Sequence, residues 1–226
     1  YMRSSWDENA LAMAFTAKGN GSHGQYDRLS VSMYAYGEFL LTDQAYGALL
    51  TDNTQEFMAT TGQHNAVTVN GKNQIMKKKD GVEEAFESNK LYDFIEYSGE
   101  FTEDAAQQRS VLFLKNKKFW IITDFADPYN DAALNSYEQN WHMLPSANMT
   151  VDEDTLILRS NMENANVMVV PVKPEDLTVS REYSLFSPAN GVFTETKKAV
   201  LKKSTVGNAT FSTVIIPMNS NERFDA

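Results

Sequence analysis

Apolar residues recur at every second position in several short runs along the chain, the spacing of strands with one buried and one solvated face. Val31, Met33 and Ala35 alternate with Ser30, Ser32 and Tyr34. Val67 and Val69 flank Thr68 just before Asn70-Gly71. That dipeptide favours a type I′ hairpin turn, because both central residues of the turn take positive φ. Further β-rich runs lie at Val111 to Leu114, Phe119 to Phe125, Leu156 to Leu158, Val167 to Val170 and Phe211 to Ile216, bounded by clusters of Asn, Asp, Gly and Pro. The pattern predicts one short helix near Asp52 to Ala59, where Asn53 or Thr54 caps the run Gln55-Glu56-Phe57-Met58. Many strands at short spacing, without intervening long helices, predict an all-β fold: a large antiparallel two-sheet β-sandwich with few short helices. The polar segment Asp127 to Ser136 reads as a long surface loop.

Composition sharpens this picture. The 226 residues fit one large sandwich spanning 1–226, with 42% hydrophobic and 22% charged residues to build a core and a solvated surface. There is no cysteine, so disulfides and thiolate metal sites are excluded. No run approaches the roughly 18 apolar residues of a membrane-spanning helix. The chain opens on Tyr1-Met2 and runs straight into an apolar pattern, which points to a fragment whose targeting signal, if any, lay upstream. Twenty basic against thirty acidic residues give a net charge of -10, which argues against nucleic acid or an anionic membrane as the main partner. An acidic ligand would need a local cationic group, for which Lys77-Lys78-Lys79 and Lys197-Lys198 are the candidates.

Candidate chemistry gathers in three turn-rich stretches. The densest runs from Gly19 to Asp27 and places His23, Gln25, Tyr26 and Asp27 immediately before a strand. The others are Leu40-Leu41-Thr42-Asp43 and Thr60-Thr61-Gly62-Gln63-His64-Asn65. Loops held by a rigid sheet often carry binding and catalytic groups. From spacing alone, His23 fits equally a tight turn in which its ring hydrogen-bonds backbone.

Taken in order, these stretches resemble the C-terminal domain of the heparinase II/III-like polysaccharide lyases. A His-Gly-His-x-Asp segment leading into Leu-Ser-Phe-x-x-Tyr-Ala-Tyr-Gly is matched by His23-Gly24-Gln25-Tyr26-Asp27-Arg28-Leu29-Ser30 and Tyr34-Ala35-Tyr36-Gly37. A strand ending in Asp is matched at Asp43, and a His-Asn-Thr-Val-like segment at His64-Asn65-Ala66-Val67. Arg109 to Phe113, Trp120 to Asp124, Gln139 to His142 and Phe211 to Pro217 follow in the same order. The resemblance spans nearly the whole chain.

What it implies is a sandwich of the supersandwich type, packed in the parent protein against an N-terminal helical toroid absent from this sequence, with an acidic polysaccharide between them. The implied reaction is β-elimination on a uronic-acid-containing polysaccharide, heparan-like or alginate-like, outside the cytoplasm in the periplasm or beyond. His23 matches the catalytic histidine contributed by the sandwich. Gln25, Asp43 and His64 match the ligands of a structural zinc, and Gln25 departs from the family's histidine there. A neutral amide oxygen is a poorer zinc donor than imidazole, so the site is expected to be weakened. Gly62 stands where many relatives carry Arg. Tyr26, Arg28, Arg109 and His142 are the candidate substrate contacts, although either arginine could instead pair with Asp27 or Asp124. The alternative is a non-catalytic carbohydrate-binding or structural sandwich. A glycoside hydrolase would need two carboxylates across a scissile bond, and no Asp/Glu pair stands out for that role. The sequence leaves self-association open.

Overall fold

The computed structural model of the protein describes residues 1–17, 24–43, 53–76, 80–189, 191–220 and 222. Four short strands open the chain: β1 (Met2–Arg3), β2 (Ala12–Thr16), β3 (Ser30–Ala35) and β4 (Glu38–Leu41). The expected helix forms as α1 (Asn53–Met58); Asp52 lies outside the described residues. Then come β5 (Val67–Val69), β6 (Val82–Ser88), β7 (Tyr92–Gly99), β8 (Ala105–Leu114), β9 (Phe119–Pro128) and β10 (Leu134–Trp141). The last six are β11 (Thr150–Val151), β12 (Leu158–Arg159), β13 (Ala165–Pro171), β14 (Thr178–Ala189), β15 (Val192–Val206) and β16 (Ala209–Asn219).

Among the described residues all the pairings are antiparallel, as the expected all-β sandwich requires, and they form three hydrogen-bonded sheets. One has eight strands in the order β11-β12-β13-β16-β9-β8-β7-β6; two have four, ordered β1-β2-β3-β4 and β14-β15-β10-β5. A single principal core takes side chains from all three: Met13, Met33 and Leu41 from the first, Trp141 and Leu201 from the second, Phe113, Trp120 and Val167 from the eight-stranded sheet. Phe113 stacks on Trp120 with ring centroids 4.3 Å apart.

Two local expectations are corrected. The loop expected over 127–136 is shorter, because β9 continues to Pro128 and β10 starts at Leu134. At 70–71 the turn forms, with φ of 54° at Asn70 and 65° at Gly71 and Lys72 N–H donating to Val69 O. Yet no long hairpin follows: β5 pairs with β10, and only the single bridge Val69–Lys72 crosses the turn. The chain leaves the ladder because Asn73 and Gln74 bond elsewhere. Asn73 Oδ1 accepts from Thr61 N–H, and the Gln74 side chain brackets the backbone N–H and C=O of Arg28.

Strict alternation along β8 turns Ala105, Gln107, Arg109, Val111 and Phe113 inward. Arg109 therefore faces the interior, directly across from Asp124 on β9. Its Nε and one terminal nitrogen donate to the two Asp124 carboxylate oxygens at 2.6 and 2.8 Å, and the other terminal nitrogen donates to Leu29 O and Asn65 O. Gln139 on β10 donates to Asp124 and accepts from Trp141 Nε1 and Thr213. Leaving a buried charge without its partner costs about 3–5 kcal/mol, whereas replacing both partners by apolar groups costs far less. Asp124→Asn or Arg109→Met should accordingly lower unfolding free energy in urea by about 3–5 kcal/mol, and the double change Arg109→Met with Asp124→Leu by less than the sum of the single changes. Strict additivity would show that the pair is not coupled.

Candidate functional site

The segments that carry the candidate residues are gathered by backbone clamps. Asn65 is the centre of them: its Nδ2 donates to Val31 O and Thr42 O, and its Oδ1 accepts from His142 N–H at 2.7 Å. One side chain thus joins β3, the end of β4 and the end of β10. The 24–28 stretch is tied to the end of α1 by Tyr26 N–H donating to Ala59 O, and Gln74 N–H donates to Thr61 Oγ1. A 3-10 turn over Thr61–Gln63 then delivers His64.

His64 is fully buried, and its Nδ1 lies 3.3 Å from Asp43 Oδ2. Its Nε2 finds no hydrogen-bond partner among the described residues, and neither does the buried Asp27 Oδ1. Burial alone would push the imidazole down, but the hydrogen bond and charge of Asp43, with Asp27 beyond it, outweigh burial and hold His64 above its ordinary value. Burial raises the Asp27 carboxyl, with Asp43 adding to the rise and His64 opposing it. Asp43 and His64, two of the three positions expected of a zinc site, thus lie in contact. The third, Gln25, carries a neutral amide, and no group of three His, Cys, Asp or Glu suited to a metal ion occurs among the described residues. One imidazole and one carboxylate fall short of the usual donor set for a structural zinc.

A second polar cluster lies behind the 3-10 turn. His142 Nε2 lies 3.1 Å from Gly62 O, and its Nδ1 3.4 Å from Ser184 Oγ, which donates to Gln63 Oε1. Lys198 Nζ donates to Gly62 O at 2.7 Å and to Asn140 Oδ1 at 2.8 Å, with Glu182 at 3.8 Å. A Cβ at position 62 would sit 3.0 Å from that ammonium, so the space beside Gly62 is filled by Lys198. Burial, reinforced by the Lys198 and His64 charges, depresses His142 to about 3. Burial also lowers Lys198, against the pull of Glu182 and Glu138. The two histidines are thus driven apart, one toward the charged form and the other held neutral.

The remaining sequence candidates fall as follows. Arg109 is a framework residue rather than a substrate contact, because its guanidinium is buried and directed to Asp124 and two carbonyls. Arg28 is also buried, donating to Ile75 O and Met76 O with its guanidinium 5.5 Å from the Phe101 ring. His142 is enclosed among protein acceptors and donors, and Trp141 beside it is core. Tyr26 is half-buried. His23 and Lys77-Lys78-Lys79 lie outside the described residues. Sequence reasoning missed the clamp role of Asn65 and the inward path of Lys198. Asn65 sat inside the quoted motif, but nothing local marks Lys198 apart from Lys197.

A three-sheet antiparallel sandwich whose early loops converge on an Asp–His pair defines the class of domain. The chain belongs to the family described as Heparinase II/III-like, C-terminal, which matches residues 1–215. It is 23% identical over 185 residues to a heparin-sulfate lyase of Pedobacter heparinus, covering 80% of this chain and 27% of that protein. The crystal structure of heparan sulfate lyase HepC from Pedobacter heparinus matches with a TM-score of 0.88 at 20% identity, over 98% of this chain and 35% of that one. A crystal structure of heparinase III matches with a TM-score of 0.85 at 18% identity, over 96% and 35%. The chain therefore spans 27% to 35% of the length of these relatives.

The depressed His142 has a consequence in acid. Between its ordinary value of 6.5 and about 3, the unfolded chain binds a proton that the folded chain refuses, so stability is full above that window and falls as pH drops through it. The stability advantage of the native protein over His142→Asn should shrink with falling pH, by up to about 1.4 kcal/mol per unit. Urea unfolding at stepped pH measures this. A gap that stays constant through the window would contradict the assignment.

Proposed function

We propose that this chain is the sandwich domain of a lyase that cleaves a uronic-acid-containing polysaccharide, heparan-like or alginate-like, by β-elimination. The observation that supports the reading most is the contact of Asp43 with His64, 21 residues apart, within a chain whose family includes such lyases. In β-elimination the uronate carboxylate is neutralised, a base takes the proton at C5, and the 4-oxygen leaves with help from an acid. The C5 proton is weakly acidic, so the developing charge on the carboxylate must be met by donors or cations and the proton carried by a group of suitable pKa. In this reading His23 transfers the proton or orients the sugar, and an upstream toroid supplies the remaining groups. The chain alone should then be inactive. The contact of buried His64 with the partly exposed Asp43 acts through position, fixing the loop that follows α1. The parent enzyme would work in the periplasm or outside the cell, where its substrate is found.

The full-length protein should generate the ultraviolet absorbance of an unsaturated uronate from heparan sulfate or alginate, and His23→Ala should reduce the rate by about 10²–10⁴-fold. A full-length protein that binds glycan but yields no such product would favour the second reading, a non-catalytic carbohydrate-binding domain, to which Gln25 at a ligand position lends weight.

A zinc at Gln25, Asp43 and His64 belongs to this proposal in weakened form, contributing structural rigidity when bound. Elemental analysis after purification without chelator should find less than about one zinc per chain, with occupancy rising in Gln25→His. Equal, full occupancy in both proteins would remove Gln25 as the cause of weakness.

A further inference from the structure

The pair Lys197-Lys198 divides at the sheet. On an antiparallel ladder, residues directly opposite share a face and neighbours along a strand point to opposite faces. Lys198 stands opposite Glu182 and turns toward Gly62 and Asn140. Lys197 stands opposite Tyr183, with Arg181 two residues back along β14, so these three share the other face.

That face borders an open groove of about 580 Å³. Arg181, Tyr183, Glu195 and Lys197 form one wall; Pro145, Asn148 and Met149 form the other. The second wall is shaped by the 3-10 turn Pro145–Ala147, which ends on Asn148 at a φ of 44°. The volume lies within the roughly 300–1,000 Å³ of small-molecule sites. Tyr183 is 54% exposed, yet its ring is braced by Phe57 with centroids 5.7 Å apart. Arg181 and Lys197 are exposed and make no ion pair with the described residues, and the Asn148 amide makes no side-chain hydrogen bond with them. Elsewhere on this sheet the charges are matched: Lys202 bonds both Glu138 and Glu182.

We propose that this groove is a binding subsite for an acidic oligosaccharide, separate from the His64 cluster on the opposite face of the ladder. The braced Tyr183 ring offers an apolar platform for the C–H face of a sugar. Arg181 and Lys197 meet its carboxylate or sulfate, and Asn148 and Glu195 take hydroxyls. The net charge of -10 repels a polyanion at long range, so recognition here must be local and salt-sensitive. Fixing the aromatic ring in advance reduces the ordering cost on binding. This inference rests on the acidic-polysaccharide reading and extends it to a site that performs no chemistry.

The test is calorimetric titration of the 226-residue chain with a heparan sulfate tetrasaccharide, an alginate tetrasaccharide and maltotetraose, at two salt concentrations. One or both acidic probes should bind, more weakly at high salt, and maltotetraose should not. Tyr183→Ala, and separately Arg181→Gln with Lys197→Gln, should each weaken binding about tenfold or more. Lys173→Gln with Lys203→Gln, beside Asp176 and outside the groove, should leave it unchanged. Both acidic probes carry carboxylate and only the heparan sulfate probe carries sulfate, so equal binding would mark the carboxylate as the group met by Arg181 and Lys197, and tighter binding of the heparan sulfate probe would add sulfate to it. Failure of both to bind, equal binding of maltotetraose, or binding indifferent to the groove variants would overturn the proposal. Elimination by the full-length protein alongside failed binding would sink the groove alone, while binding without elimination would sink the lyase reading alone.

Discussion

Taking a guanidinium and a carboxylate out of water costs several kcal/mol per ion unless they bond each other and their other donors and acceptors are met. Arg109 and Asp124 sit inside the sandwich on those terms. Between them they engage β8, β9, Gln139 on β10 and, through Leu29 O and Asn65 O, the two loops that flank the candidate site. Because Asn65 immediately follows His64, the backbone that carries the imidazole is anchored to a charge pair in the core. The site loops are irregular in sequence but not in placement, since their carbonyls answer to a fixed guanidinium.

The same economy of few fixed points governs the two enclosed histidines. His64 borders carboxylates and His142 borders an ammonium, so burial of similar depth leads to opposite protonation preferences. His64 follows the 3-10 turn at Thr61–Gln63 and meets Asp43, whereas His142 contacts Gly62 in the turn and Ser184 on β14. The turn is consequently held from several directions at once, which suits a support for chemistry that takes place on neighbouring residues.

Much of the sandwich was legible because strand alternation is a local property. Val31, Met33 and Ala35 face inward as their spacing predicted, and Asn70-Gly71 takes the left-handed pair of φ values its composition demands. What local pattern could not give was partnership. The partner of β5 is β10, far along the chain, and the division of the strands into separate sheets depends on where hydrogen bonding stops. For the site, the ordered resemblance of Asp43 and His64 to a known motif anticipated their meeting. The fates of Arg28 and Arg109 were left open, because exposure and partner cannot be read from an arginine and its neighbours alone. Lys198 was illegible for the same reason: its burial follows from register against the 62–65 turn, which no stretch of the sequence encodes by itself.

The ammonium lodged beside Gly62 ties two distant positions together as the protein diverges. A Cβ at 62 would sit 3.0 Å from the Lys198 ammonium, so a small side chain there requires that ammonium to give way slightly, and a large one competes with it for the same space. Among homologues, a large basic residue at one of these positions should coincide with a small or uncharged one at the other. The pair would drift as a unit, with conserved charge and unconserved address.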